Sequence, residues 1–390
     1  MAGAIRFDEV REWVFGQALP LWTLNALDPD GAGFLEQLTL EGRPLDPGFK
    51  RLRTQARQVY SFCHAHQLGW PGAKQVAEAG YVALMAMELP DGGFPRTVRR
   101  DGSVLDPTLD LYDQAFALNA MGWWYRVTGD DQALTSLDRL LEAIERRLKS
   151  RQGRGYLTAS PDPGGRTQNP HMHLLEASLA WLDVHEDARL RDLANELVDL
   201  HVERFQQGED GVLAEHFDVH WWPLDGAPGQ SVEPGHQYEW VWLLGQAERI
   251  LGRNLKQPAR RLHRFAREHG HNPETGLCWD EIDREGRVIK STSRIWTQTE
   301  ALKAELALGE HWGGSDLNRL AGTVDALLDR HLAWAPAGTW MDRLDAHGRP
   351  AADHIPASIL YHVLLAFAEL LRLEDRIREE ARDRSEPPPA

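Results

Sequence analysis

Cysteine is nearly absent. Two residues, Cys63 and Cys278, in a chain of 390 cannot build a disulfide framework or a cysteine-based zinc site. Long apolar runs are missing too: no stretch of about 18 uncharged apolar residues is present, which argues against a membrane span. Acids occupy the N-terminus, Asp8 and Glu9 among them, where a secretion signal needs an apolar segment. Bases are outnumbered, 43 Lys and Arg against 59 Asp and Glu, and the net charge is −16. An acidic chain without a Lys/Arg-rich run argues against nucleic acid and anionic membranes as partners. A soluble, cytoplasmic protein is expected, as monomer or homodimer. Neither a Ser or Cys beside a partner base nor a glycine-rich phosphate cradle is found. Apolar residues are plentiful, at 42%, and there are 15 Trp. Tryptophan fills cores and also stacks on sugars, and the core role is the commoner one.

Short Gly-centred turns recur at Gly42, Gly102, Gly165, Gly226, Gly286 and Gly348, at intervals of 60 to 63 residues. One period repeated six times makes each repeat a single supersecondary unit. Two helical stretches lie between successive turns. The second of each pair is amphipathic: Leu134, Leu137, Leu141, Ile144 and Leu148 step by three and four, with Asp138, Arg139, Glu142 and Glu145 opposite. The first is apolar nearly all round, as in Ala115 to Tyr125, Leu174 to Leu182, Tyr238 to Leu244 and Ile359 to Ala368. Wet and buried helices in alternation predict two concentric rings. The expected fold is all-α, an (α/α)6 barrel over residues 1–373, with short β-hairpins in the long loops of one rim. Residues 374–390, charged and ending in Pro-Pro-Pro-Ala, are expected to be a frayed tail. The long loops all fall on one rim, where the inner helices begin, and that rim is the expected site.

Asp113, His173, His236, Gln298 and His362 follow one another at 60, 63, 62 and 64 residues, and Arg57 lies 56 before Asp113. Residues in repeat register on an inner ring can converge on one bowl. Core packing does not ask for three histidines in register. Glu176 and Glu239 each follow a histidine by three residues, on the same helix face. His171 is read as a support for His173. A metal pair from the two is disfavoured, because side chains two apart diverge on a helix and carboxylate co-ligands are not evident. Histidine takes and gives protons near neutrality, and arginine holds an oxyanion. The set therefore suits proton removal beside a carbonyl, through an enediolate, with no metal and no cofactor.

Arg57-Gln with Tyr60, Asn169-Pro-His-Met-His-Leu-Leu-Glu-Ala177, Glu233-Pro-Gly-His-Gln-Tyr-Glu-Trp240, Trp296-Thr-Gln-Thr-Glu300 with Lys303-Ala304, and Leu360-Tyr-His362 resemble the N-acylglucosamine 2-epimerase family over about residues 5–373. The resemblance implies an (α/α)6 barrel. It matches His173, His236 and His362 to the family's active-site histidines and Arg57 to its essential arginine. Asn169, Glu239 and Trp296 match substrate-binding or supporting positions, and Tyr112, Asp113 and Gln298 are placed with them. Thr297 departs from the proline usual after that tryptophan. Within the family, Pro356 to His362 and the two long motifs look most like the free-monosaccharide enzymes, D-mannose isomerases above all. The implied activity interconverts D-mannose and D-fructose, with D-lyxose as a further mannose-like sugar. A mannose/glucose 2-epimerase is the alternative. A glycoside hydrolase using Asp113 and Glu239 as its carboxylate pair, or a non-catalytic sugar-binding toroid, comes after it.

Overall fold

The structure, a computed structural model, describes residues 5–208, 210–314 and 316–384. Among these, six helices form an inner ring: Leu52–Gln67, Leu111–Thr128, Gln168–Leu182, Pro234–Leu251, Ile295–Ala307 and Leu360–Arg372. Each packs on the next and the sixth packs on the first, so the ring closes. Outside stand Ala73–Met85, Gln132–Leu148, Ala188–Leu200, Lys256–His269 and Leu317–Ala326. The sixth outer place, beside the last inner helix, belongs to an N-terminal rod of Phe7–Arg11, a π-helical segment Glu12–Ala18 and Leu19–Asn25. This is the (α/α)6 barrel.

The two rings are built from different sequences. In Gln132–Leu148 the buried residues are Ala133, Leu137, Leu140, Ala143, Ile144 and Leu148, a single stripe. Burying each leucine of such a stripe contributes roughly 1.5–3 kcal/mol. In Leu111–Thr128 every residue from Asp113 to Gly122 is buried, as expected for a helix with neighbours on all sides. Asp110 caps that helix by accepting from the Tyr112 amide at 3.0 Å, and Gly129 ends it in the left-handed region.

One rim is laced by short antiparallel pairings between neighbouring repeats. Lys50–Arg51 pairs with Thr97–Val98, Leu109–Asp110 with Ala159–Ser160, Arg166–Thr167 with His216–Phe217, and Ser293–Arg294 with Arg343–Leu344. Val232 bridges Ile282, and Gln37–Thr39 pairs with His354–Pro356, joining first repeat to last. Local hairpins accompany them, such as Glu281–Ile282 with Val288–Lys290. The six register glycines all have positive φ, between 29° and 85°, a backbone state that costs other residues free energy. Most of these pairings lead straight into an inner helix, so the rim sets where each inner helix begins.

Residues Glu374–Asp383, set aside in the sequence as tail, form a helix. Its Ile377 is buried, and Arg376 donates to the Gly309 carbonyl at 2.5 Å. Residues 385–390 lie outside the described residues. No described helix is long and apolar enough to cross a membrane.

Candidate active site

The inner helices open onto a cavity of about 490 Å³ at the laced rim. Arg57, Tyr112, Asn169, His173, His236, Glu239, Trp296 and His362 all line it. The structure thus brings together eight of the ten residues the sequence nominated. Helix N-termini surround this space, and the positive ends of the helix dipoles favour negative charge there.

Each histidine is held through Nδ1 by a buried carboxylate. His173 Nδ1 lies 2.9 Å from Glu176 Oε2, His236 Nδ1 lies 3.0 Å from Glu215 Oε2, and His362 Nδ1 lies 2.8 Å from Glu300 Oε1. Such pairing fixes the ring orientation and leaves Nε2 for other work. Glu176 also accepts from the Tyr361 hydroxyl. Glu300 forms an ion pair with the fully buried Lys303 at 2.6 Å.

The same kind of pair sets two histidines in opposite states. Burial pushes His362 well below the usual histidine range, and the cations Arg57 and Lys303 push the same way. It is neutral at pH 7 and free to accept a proton. Burial also opposes charge on His236, but Glu215, Glu233 and Glu239 outweigh it and raise that group to about 10. His236 is an imidazolium at pH 7.

Arg57 is enclosed by aromatic faces. Its guanidinium carbon lies 4.2 Å from the Phe116 ring centre and 5.0 Å from that of Tyr361, and Nη2 donates to the Tyr112 hydroxyl at 2.5 Å. The cage holds a permanent charge at one place beside the histidines. Trp296 stands between His236 and His362, its ring centre 5.1 and 5.8 Å from theirs. The Asn169 carboxamide oxygen is buried with no donor among the described residues, which leaves an acceptor at the cavity.

Two nominations fail. Asp113 is fully buried and does not line the cavity; it stands behind Arg53, 3.7 Å from a guanidinium that does line it. Gln298 accepts from the Cys278 amide at 2.9 Å and donates to the Cys278 carbonyl at 3.2 Å. Gln55 clamps Phe34 and Gln114 clamps Phe94 in the same way. Gln298 is therefore one of a repeated set of staples between a loop and the inner helix that follows. The assumed register also needs correction. His236 and His362 are the third residues of their helices, while His173 and Arg57 are the sixth. Third and sixth positions share a helix face, so these four converge anyway; Asp113, also a third residue, stays behind the lining. Gln298 is a fourth residue and faces elsewhere.

Glu239, three residues after His236, approaches His173 instead, 4.0 Å from Nε2. The partner of His236, Glu215, was missed, as were Glu300 as the partner of His362 and the buried Lys303. A signal for Glu215 existed: it precedes His236 by 21 residues, nearly the offset of each glutamine staple. His171, read as a support for His173, accepts from the Tyr156 amide at 3.0 Å and its Nδ1 lies 3.0 Å from the Thr167 carbonyl oxygen, so it ties down rim loops. The tryptophans divide much as composition suggested: Trp22, Trp181, Trp240 and Trp340 are wholly in the core.

The sequence argument against a metal rested on missing carboxylates, and the structure corrects that premise. Three groups, His173 with Glu176 and Glu239, His236 with Glu215 and Glu233, and His362 with Glu239 and Glu300, each bring their ligand atoms within 4.8 Å of one another. Such groups can hold a divalent cation or pass a proton.

The family model of N-acylglucosamine 2-epimerase (GlcNAc 2-epimerase) matches residues 33–366. The chain belongs to the N-acylglucosamine 2-epimerase family. Among its relatives is a mannose-6-phosphate isomerase of Rhizobium meliloti, 36% identical, with 93% of this chain and 96% of the relative covered. A D-mannose isomerase of Pseudomonas cannabina pv. alisalensis is 26% identical, with 80% of each chain covered. The solved cellobiose 2-epimerase of Spirochaeta thermophila superposes with a TM-score of 0.84 at 24% identity, over 95% of this chain and 97% of the other. That last likeness bears on the fold alone. Membership of the N-acylglucosamine 2-epimerase family makes the protein a sugar isomerase or epimerase.

Proposed function

We propose that this member of the N-acylglucosamine 2-epimerase family interconverts D-mannose and D-fructose by metal-independent proton transfer through a cis-enediolate. One observation carries the reading: a single cavity holds a neutral histidine, His362, and a charged one, His236. A base and an acid with separated proton affinities are what enolisation beside a carbonyl requires.

In the proposed cycle His236 gives a proton to the ring oxygen as the C1–O5 bond breaks and, then neutral, takes the O1 proton, which leaves the open aldose and restores the imidazolium. His362 Nε2 then takes the C2 proton of the open aldose. The C2–H electrons form the C1=C2 bond, and the C1=O electrons move onto O1. Arg57 and His173 hold O1 and O2 by charge-assisted hydrogen bonds, and the surrounding helix N-termini favour the same negative charge. The O2 proton passes to O1, the O2–H electrons form the C2=O bond, and the C1=C2 electrons take the proton back from His362 at C1, leaving the ketose with a hydroxyl at C1. Asn169, Tyr112, Glu239 and Trp296 position the sugar. Ile359 lines the cavity beside His362, and Tyr361 does not, its hydroxyl being spent on Glu176. Ile359 is thus the wall that restricts rotation of the enediolate, which favours return to C1 over return to the opposite face of C2.

A phosphorylated substrate is the second reading. It is supported by the name of the Rhizobium meliloti relative and by Arg53, which lines the same cavity. Arg51 is paired with Glu36 at 2.7 Å and Arg294 with Asp280 and Glu233 at 3.2 Å. Arg53 lies over the Tyr112 ring at 5.6 Å, and among the carboxylates of the described residues it has only the 3.7 Å approach to Asp113. Steady-state rates with D-mannose and with D-mannose 6-phosphate separate the two. The proposal expects the larger kcat/KM for the free sugar. A strong preference for the phosphate, lost in Arg53→Ala, would replace it.

A further inference from the structure

The barrel encloses a second cavity, of about 410 Å³, at the opposite end, where the inner helices finish. Glu176 lies between the two spaces: it lines this lower cavity while holding His173 of the upper one.

Three features of the lower cavity point to one kind of ligand. Asn119, 2% exposed, lines it with neither amide atom partnered among the described residues. A buried carboxamide with neither hydrogen bond made is costly, so it calls for a ligand that offers both a donor and an acceptor. Two adjacent hydroxyls of a polyol do that. Trp123 and Trp242 supply aromatic walls; a cation already lies over each ring, Arg126 at 5.1 Å and Lys303 at 4.3 Å, and the side of each half-buried ring that remains exposed suits the C–H faces of a pyranose. The arginines, finally, are already neutralised. Asp183 accepts from Arg126 at 2.7 Å and from Arg249 at 2.8 Å, and Arg372 is held by Glu310 at 2.6 Å and Glu369 at 2.8 Å. A phosphate or carboxylate would have to displace one of these pairs, whereas a neutral ligand would not.

We propose that the lower cavity is a second, non-catalytic binding site for a neutral monosaccharide, with Asn119 as its polar anchor and Trp123 and Trp242 as its walls. The inference does not depend on which sugar reaction the upper site performs. It also gives the protein a sugar contact one carboxylate away from a histidine of the upper cavity.

The test is a titration with 1,5-anhydro-D-mannitol, a pyranose that cannot open or react. It is followed by the indole N–H resonances of Trp242 in the lower cavity and Trp296 in the upper one. The expected result is two saturable responses. Asn119→Leu should weaken the Trp242 response by about tenfold or more, the loss of one hydrogen-bonding pair, and leave that of Trp296 in place. Asn119→Asp, which keeps the shape and loses the amide donor, is the companion variant should the leucine disturb folding. A response from Trp296 alone, at any concentration up to saturation, means the lower cavity takes no sugar and overturns the proposal. A Trp242 response unchanged in both variants overturns the assignment of Asn119.

Discussion

Replacing Glu215 with glutamine removes one negative charge from beside His236, and it gives up one of the two oxygens that accept from Gln168 Nε2 at 2.8 Å and from the Glu233 amide at 3.3 Å. A glutamine carbonyl can still accept from Nδ1, where the carboxylate now lies 3.0 Å away, so the imidazole keeps its place. The proton affinity should not survive. His236 stands at about 10 because Glu215, Glu233 and Glu239 together overcome its burial, with Glu215 the largest of the three. Without Glu215 it falls toward the ordinary histidine value. At pH 8 a group of pKa 10 is about 99% charged, and one of pKa 6.5 only about 3%. Activity at pH 8 should drop by between a few-fold and about thirtyfold, depending on how far Glu233 and Glu239 still raise His236. At pH 6 the variant should approach the wild type. The sign follows from the role: an acid must be protonated, so lowering its affinity moves the alkaline limb of the rate profile to lower pH. The assay is kcat/KM for D-mannose from pH 5.5 to 9.5, with near-UV circular dichroism as a check on the fold. An alkaline limb that stays in place, with the fold intact, would refute the assignment of His236 as the acid.

His362→Ala should fold and lose about 10²–10⁴-fold in turnover, the scale of general-base catalysis; a folded variant keeping most of its activity would remove His362 from that role. Asp113, whose carboxyl burial pushes up to about 7, has neither oxygen hydrogen-bonded. The folded state keeps that proton where the unfolded chain releases it, so stability falls as pH rises from about 4 to about 7. Asp113→Asn should therefore raise stability at pH 8 by up to about 4 kcal/mol and do little near pH 4; urea midpoints showing equal effects at both pH values would contradict this. Exhaustive chelation should leave the rate unchanged. A loss restored by Zn2+, Mn2+ or Mg2+ would show that one of the His–Glu groups works as a metal site.

The barrel was legible because its signals repeat. Six glycine turns at one spacing and two helix types in alternation leave few other closed arrangements. The histidines were legible for a cruder reason, that imidazoles are uncommon on buried helices. The spacing argument behind them was only partly sound. It put Gln298 in register with His236, although the two occupy different helix positions and point different ways. It also put Asp113 in the bowl, whereas the structure sets it behind Arg53. Periods near 60 residues carry an uncertainty of a residue or two, and one residue is about 100° of rotation on a helix. Glu215 was hidden because it comes from a loop, where no periodicity marks which side chain turns inward. Lys303 was quoted only as part of a motif, since a lysine at the centre of a barrel is legible only once the three carboxylates around it are seen.

D-Mannose followed by NMR in D2O with the enzyme tests the central claim most directly. One-face transfer by His362 should produce fructose carrying deuterium at C1, diluted by internal return of the original proton, with glucose slow or absent. Glucose labelled at C2 and formed as fast as fructose would contradict the account and make the protein a 2-epimerase, with His236 delivering the proton to the opposite face.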